Sequence, residues 1–406
     1  MISSGDALKS LAREAALLPQ EEMLEIGRKK QSLYIGIPRE TEFQEHRVAL
    51  VPEAVSLLIS NGHRVIVETN AGKQAFFTDR DYSEAGAEIA YSPDKVYEAD
   101  IILKVTPPSK KEIALMKHKQ TLFSALQLTV QPEDTLRELM AKKVTAIAWD
   151  YIQDEYGVYP IIRSMGEIAG NASVLIAAEL LSNVNKGKGL IMGGIAGITP
   201  TEVVIIGAGT VGAYAARNAL ALGASVKVFD NSVAKLRRLQ NDLGQRIFTS
   251  VIQPKVLMKN LRRADVAIGA LRAPHGRTPC VVSEEMVENM KPGSVIVDVS
   301  IDQGGCFETS KVTTHEHPTF EKHGVVHYCV PNVASRVSRT ASYALSNIFA
   351  PMVIDIADGG GCEKLIRTRK GFRHGVYIYN GTLTSSYLGE SFQLPYKDLD
   401  LLITAF

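Results

Sequence analysis

The sequence predicts an α/β fold: two doubly wound domains joined by long helices. Three observations lead there. From residue 33 onward, short apolar runs alternate with helical patterns, which argues for parallel sheets. At 406 residues the chain is too long for one ordinary core. Finally, Val203-Val204-Ile205-Ile206-Gly207-Ala208-Gly209-Thr210-Val211-Gly212 reads as a buried strand running into a glycine-rich turn and then a helix, Ala213–Leu222.

Residues 4–30 carry Leu8, Leu11, Ala15 and Leu18 at helical spacing and predict a helical arm. Strand Tyr34–Ile37 follows, then loop Pro38–Ala49. The next helix starts at Pro52, a residue suited to a first helical position, and stops at Asn61-Gly62. Strands are expected at Arg64–Glu68, Glu88–Ala90, Ile101–Val105, Gln120–Ser124 and Thr145–Ala148. Helices are expected between them at 79–85, 93–98, 109–116 and 132–141. A long helix from about Ser164 to Asn185 bridges to the second unit. There, strands are expected at Ser225–Phe229, Asp265–Ala270, Ser294–Val299 and Val325–Cys329, then an apolar helix over 334–358. The tail 359–406 reads as helix and loop.

Each glycine of the turn has its own task. Gly207 permits the tight turn, Gly209 lets a pyrophosphate reach backbone, and Gly212 lets helix and strand pack closely. The helix start adds free N–H groups and a positive dipole end. The strand Ser225–Phe229 ends on Asp230, the acid expected about twenty residues on. The context predicts a Rossmann dinucleotide-binding domain; the alternative is a glycine-rich turn without a ligand. Asp230 favours NAD, because its carboxylate accepts from ribose hydroxyls and repels a 2′-phosphate. Asn231-Ser232 offer no arginine to offset that repulsion.

Composition narrows the partners. Basic and acidic residues number 45 and 44, so no positive field draws nucleic acid or an anionic membrane. No stretch of about twenty unbroken apolar residues is present. Met1–Lys30 is charged throughout and does not read as a secretory signal. Cys280, Cys306, Cys329 and Cys362 show no CxxC pairing, which suits free thiols in a reducing cytoplasm. His315, His317, His323 and His327 lack metal-ligand spacing, so no metal is expected.

Ligands of α/β sheets collect at the carboxyl ends of strands. Lys104 closes the strand Ile101–Leu103, either as a snorkelling surface residue or as a positioned cation. Arg47 lies in the loop after the first strand, either solvated or ready to fork onto a carboxylate. Asp302, before Gln303-Gly304-Gly305, is a turn former or a ligand-facing acid, and Asn332 is a similar case.

From 33 to about 395 the chain resembles the alanine dehydrogenases and, more distantly, the NAD-binding subunit of proton-translocating transhydrogenase. The resemblance rests on Ile35-Gly36-Ile37-Pro38-Arg39-Glu40-Thr41 with Arg47-Val48-Ala49, on Leu190-Ile191-Met192-Gly193-Gly194 with the glycine turn, on Ile301-Asp302-Gln303-Gly304-Gly305-Cys306-Phe307-Glu308, and on Tyr343-Ala344-Leu345-Ser346-Asn347. It implies an arm (1–32), a substrate domain (33–163 with 338–406) and an NAD-binding domain (164–337), with the active cleft between the last two. It implies a homo-oligomer, hexamer or dimer, and a reversible conversion of L-alanine, NAD and water to pyruvate, ammonium and NADH. By position, Arg47 and Lys104 match the pyruvate-binding cations, Asp302 the catalytic acid and Asp230 the ribose-binding acid. Asn332 matches an active-site asparagine, with Leu271 and Ile301 on the cofactor side. One position departs: Gln127 stands where the family carries a catalytic histidine. Glutamine can orient a substrate but cannot exchange a proton. That substitution leaves two alternatives, a relative acting on another amino or 2-oxo acid and a catalytically impaired NAD-binding homologue. In an active enzyme Arg47 would anchor the carboxylate and Asp302 would activate water. Lys104 would polarise the reacting group and shuttle a proton if burial lowers its pKa.

Overall fold

The computed structural model describes residues 32–42, 44–126, 133–185, 187–273 and 276–404. The helical arm expected over 4–30 lies outside them.

Fifteen strands form two sheets among the described residues. The first six are β1 (Tyr34–Ile37), β2 (Arg64–Glu68), β3 (Glu88–Ala90), β4 (Ile101–Leu103), β5 (Thr121–Ser124) and β6 (Thr145–Ala148). The next seven are β7 (Glu202–Ile206), β8 (Ser225–Phe229), β9 (Phe248–Ser250), β10 (Val266–Gly269), β11 (Val295–Asp298), β12 (Thr319–Lys322) and β13 (Val325–Tyr328). The last two are β14 (Val376–Tyr379) and β15 (Thr382–Leu383). The sheet orders are β15-β14-β6-β5-β4-β1-β2-β3 and β12-β13-β11-β10-β7-β8-β9.

Strands β1 to β6 pair in parallel, as do all those of the second sheet except β12. Their near-continuous apolar sequences follow from burial on both faces by crossover helices. The α/β expectation of two parallel-dominated sheets is met.

The tail departs from expectation. Residues 376–383 form a hairpin that pairs antiparallel with β6 and extends the first sheet. Its turn is Asn380-Gly381, with φ of 48° and 80°, both positive as a two-residue hairpin turn requires. Strands β9 and β12 and the helices Val233–Leu243 and Pro254–Leu261 were also not expected. The long bridging helix runs over Pro160–Leu181, its start set by Pro160 at the first helical position. The helix expected over 334–358 divides into a 3₁₀ turn, Val333–Val337, and a helix, Ser338–Asp358.

The bridging helix serves both cores. Ile161 packs with the first sheet, while Ala172, Val174 and Leu181 pack with the second. Its middle crosses the helix Thr210–Ala221 at backbone distance. A Cβ on Gly170 would overlap the Val211 carbonyl oxygen and lie 2.8 Å from Tyr214 Cβ. Gly170→Ala therefore gains helix propensity, about 1 kcal/mol, but forces the two helices apart, which typically costs about 1–3 kcal/mol. A net loss of stability is expected in denaturant unfolding. A variant as stable as the parent would contradict the backbone contact.

Candidate active site

The glycine turn sits at the carboxyl end of β7, between β10 and β8. Gly207 has φ 116°, and a Cβ there would overlap the Ala270 carbonyl oxygen. A Cβ on Gly212 would overlap the Gly207 oxygen, so the helix could not sit this low on any larger residue. A Cβ on Gly209, in contrast, would meet nothing within 4 Å. That open space lies at the N-terminus of the helix Thr210–Ala221, where Gly209 is the cap. The combination suits a pyrophosphate. Thr210 and Val211 are half-buried beside the turn and Ala208 is buried. Asp230 is buried at the end of β8. Its carboxylate accepts from the Ala208 N–H at 2.8 Å and the Ser232 N–H at 2.7 Å. The ribose-side acid and the phosphate-side turn are thus one hydrogen-bonded unit, and the residues present fit a dinucleotide.

β11 ends on Asp298, a carboxylate only 1% exposed. It accepts from the N–H of Ser300 and of Cys306, both at 3.0 Å, and from the Ser310 hydroxyl at 2.7 Å. These bonds shape the turn Val299–Gln303, which buries Ile301 and presents Asp302. The Gln303 side chain clamps the segment after β10: Oε1 accepts from Ala273 N–H at 3.0 Å, and Nε2 donates to Ala273 O at 3.3 Å. Arg272, next to Ala273, is thereby held within electrostatic reach of Asp302. Asp302 keeps contact with solvent, yet the surrounding protein pushes its carboxyl up to about 6. Desolvation is the main cause; Arg272 opposes it, and Asp298 and Asp150 add to it.

On the first sheet, Lys104 directly follows β4 and is fully buried. It is neither a surface residue nor an unpaired cation. Its Nζ lies 3.0 Å from Glu40 and 2.6 Å from Glu112. Desolvation works against the ammonium, but the two carboxylates prevail and raise its pKa above the ordinary lysine value. The expected lowering, and with it a proton-shuttling lysine, is overturned. Arg47 is likewise buried and paired: Nε and Nη2 meet the two oxygens of Glu45 at 2.7 and 2.6 Å. Its Nη1 lies 3.3 Å from the Met165 sulfur, a weak acceptor. The two expected cations do come together around Glu40, which attracts both. They come with three acids the sequence reading did not single out.

The loop bearing Arg47 belongs to no sheet, so its N–H groups need other acceptors. Serine hydroxyls supply them: His46 donates to Ser335 at 2.8 Å, Val48 to Ser342 at 3.0 Å and Val51 to Ser346 at 2.8 Å. Ser342 and Ser346, one helical turn apart, were detectable as polar residues on the buried face of an apolar helix. Asn332 caps the 3₁₀ turn that carries Ser335 and hydrogen-bonds His315, whose ring stacks on His46 at 5.9 Å. The Gln44 side chain accepts from the His315 N–H at 2.7 Å. The loop after β1 thus meets the segments that flank β12 and β13 directly. Gln127 lies outside the described residues.

Among the described residues, Glu284, Glu288 and His323 bring potential metal-binding atoms within 4.8 Å of one another. Lys322 already neutralises Glu284 at 2.6 Å, so the group reads as an ion-pair cluster. No described helix is long and apolar enough to cross a membrane.

Comparison with known proteins places this architecture. The sequence profile "Alanine dehydrogenase/PNT, N-terminal domain" matches residues 36–169, and "Alanine dehydrogenase/PNT, C-terminal domain" matches 173–386. The alanine dehydrogenase of Mycolicibacterium smegmatis is 40% identical over 367 residues, 90% of this chain and 98% of that protein. Alanine dehydrogenase 2 of Staphylococcus aureus (strain USA300) has the same identity and coverage. A solved L-alanine dehydrogenase superposes with a TM-score of 0.83 at 37% identity, covering 89% of this chain and 99% of that one. A transhydrogenase from Sinorhizobium meliloti shares the fold, with a TM-score of 0.74 at 23% identity, covering 87% of this chain and 99% of that one. The chain belongs to the alanine dehydrogenase/PNT family.

Proposed function

We propose that this amino-acid dehydrogenase reversibly converts L-alanine and water, with NAD, to pyruvate and ammonium. What supports the reading is a pair of unlike walls at the carboxyl ends of the two sheets. One wall is the glycine turn with Asp230; the other is Arg47 and Lys104, fixed by buried acids at the ends of β1 and β4. Residues 33–163 with 338–406 form the substrate side and 164–337 the cofactor side. Exposed Ile191, Ile195 and Ile198, at 67, 63 and 61%, support burial in a homo-oligomer.

The donor inventory defines the roles. An ammonium has three donors, and Glu40 and Glu112 take two of those on Lys104, leaving one for the substrate's amino or oxo group. Arg47 keeps the Nη1 edge of its guanidinium for the substrate carboxylate. Both stay charged throughout, so they bind and polarise. Asp302, pushed up to about 6, accepts a proton from the attacking water. The bound dinucleotide supplies the hydride acceptor. Asp230, ending β8, supports NAD over NADP.

NADH absorbance with L-alanine, and in reverse with ammonium and a panel of 2-oxo acids, tests this reading. Alanine and pyruvate should be the preferred pair, and a stronger response to another acid would replace them. NADP should serve at least about tenfold less well than NAD, a difference of about 1.4 kcal/mol; equal use would remove the role given to Asp230.

Lys104→Ala should lower kcat by about 10²-fold or more while NADH still binds. The same change strands Glu40 and Glu112 and should destabilise the fold by about 3–5 kcal/mol. Adding Glu112→Gln should restore part of that stability and none of the activity. Recovery of both would make Lys104 purely structural.

The acidic limb of the kcat/KM profile should lie near pH 6. The Asp302 pKa is raised from 3.8 to about 6, so the carboxylate that accepts a proton exists only above that value. Asp302→Asn should remove this dependence along with most of the activity. An unchanged profile would exclude Asp302 as the base.

A further inference from the structure

Turnover of the proposed kind moves several protons, and three of the candidate groups cannot carry them. Lys104 is held as an ammonium by Glu40 and Glu112. Arg47 is paired with Glu45, and the amide of Gln127 does not ionise. Asp302 alone would have to accept a proton from water and deliver one to nitrogen.

A second carboxylate lies within electrostatic reach of it. Asp150 lies in the 3₁₀ turn Trp149–Tyr151 that follows β6. Its Oδ1 accepts from the Leu126 N–H at 3.2 Å, just beyond β5. Trp149 in the same turn donates its indole N–H to the Lys104 carbonyl at 3.2 Å, tying the turn to the substrate cations. From the other wall, the Gln303 clamp on Ala273 holds Arg272 within electrostatic reach of Asp302. The continuation of that segment reaches the first unit, where Gly276 packs against the Tyr387 ring.

We propose that Asp150 is the second proton-exchanging carboxylate of the active site, working with Asp302 across the cleft while Arg272 balances the pair. This rests on the dehydrogenase reading above. Burial pushes Asp150 up to about 6, matching Asp302, with Arg272 opposing the rise in both. Asp150 also adds to the rise at Asp302. The other titratable groups facing them are Asp298, Tyr151 and Tyr377; both phenols are pushed above the ordinary value and stay neutral. Two carboxyls matched at about 6 beside one cation hold about one proton between them near pH 6.

The proton balance closes with this pair. The alanine ammonium first loses one proton to solvent, the proton that the overall reaction releases, and after hydride leaves Cα the substrate is an iminium. Water oxygen bonds to Cα and one water proton passes to Asp302. Protonated Asp150 donates to the nitrogen, the C–N bond breaks, and the hydroxyl proton returns to Asp150 as the ketone forms. Asp302 then protonates the departing ammonia. Iminium and water become ketone and ammonium, and both carboxyls end as they began.

The test uses the full chain with NAD and L-alanine. Asp150→Asn should lower kcat by about 10²–10⁴-fold, leave NADH binding unchanged and remove the alkaline limb set by loss of the Asp150 proton. Asp150→Glu should recover part of the rate. Arg272→Met should move the acid limb upward by about one pH unit or more, since a cation at this range shifts a carboxyl by about 1–3 units. If Asp150→Asn keeps full kcat, or loses rate with an unchanged pH profile and no recovery by glutamate, the proposal is overturned while alanine oxidation stands. A wild-type enzyme inactive on every acid overturns both.

Discussion

A buried ammonium cannot stay charged in a protein interior without counter-charges at hydrogen-bond distance. Much of the substrate side of this molecule is arranged around that constraint at Lys104. Glu112 comes from a helix whose first turn it caps, accepting from Ser109 while it binds Lys104 and the Tyr97 hydroxyl. Glu40 comes from the loop after β1 and also takes the Val105 N–H and the Thr106 hydroxyl. Trp149, beyond β6, bonds the Lys104 carbonyl. Three strand ends and one helix start are thereby fixed relative to a single residue. Lys104 is accordingly held as a cation and not as a base.

The same division of labour holds for the other loops. Strand ends provide rigid anchors, but the reactive side chains sit in short irregular segments whose N–H groups need individual acceptors. Ser335, Ser342 and Ser346 do this for the Arg47 loop from nearly three hundred positions away in sequence. Asp298 does it for the Asp302 turn, and Gln303 links that turn to the segment bearing Arg272. The supports are neutral hydroxyls and amides at some positions and carboxylates at others: Glu45 takes the Arg47 N–H, Glu40 that of Val105, and the enclosed Asp298 those of its own turn.

The glycine turn, Asp230, most of the parallel strands and the placing of Arg47, Lys104 and Asp302 in or beside segments that follow strands were legible in the sequence because each follows from local pattern. A glycine forced by a carbonyl beneath it and an acid ending an apolar strand are short-range signals. Charge balance was not legible. Glu40 pairs with Lys104 across 64 residues, and nothing in the run Arg39-Glu40-Thr41 says that the carboxylate of its middle residue turns inward. The β14–β15 hairpin is a different case: Val376-Tyr377-Ile378-Tyr379 before Asn380-Gly381 is a readable turn signal, obscured by the helical segments around it.

Proton exchange at this site is a property of the assembled cleft. Asp150 belongs to one sheet and Asp302 to the other, and desolvation is the leading cause of the rise in each. Fuller hydration would return each toward 3.8. Lys104 and Arg47 differ in this respect, because the acids paired with them lie beyond strands of the first sheet. On the proposed reading, substrate anchoring draws on charge pairs of one sheet, while proton exchange draws on Asp150 from that sheet and Asp302 from the second.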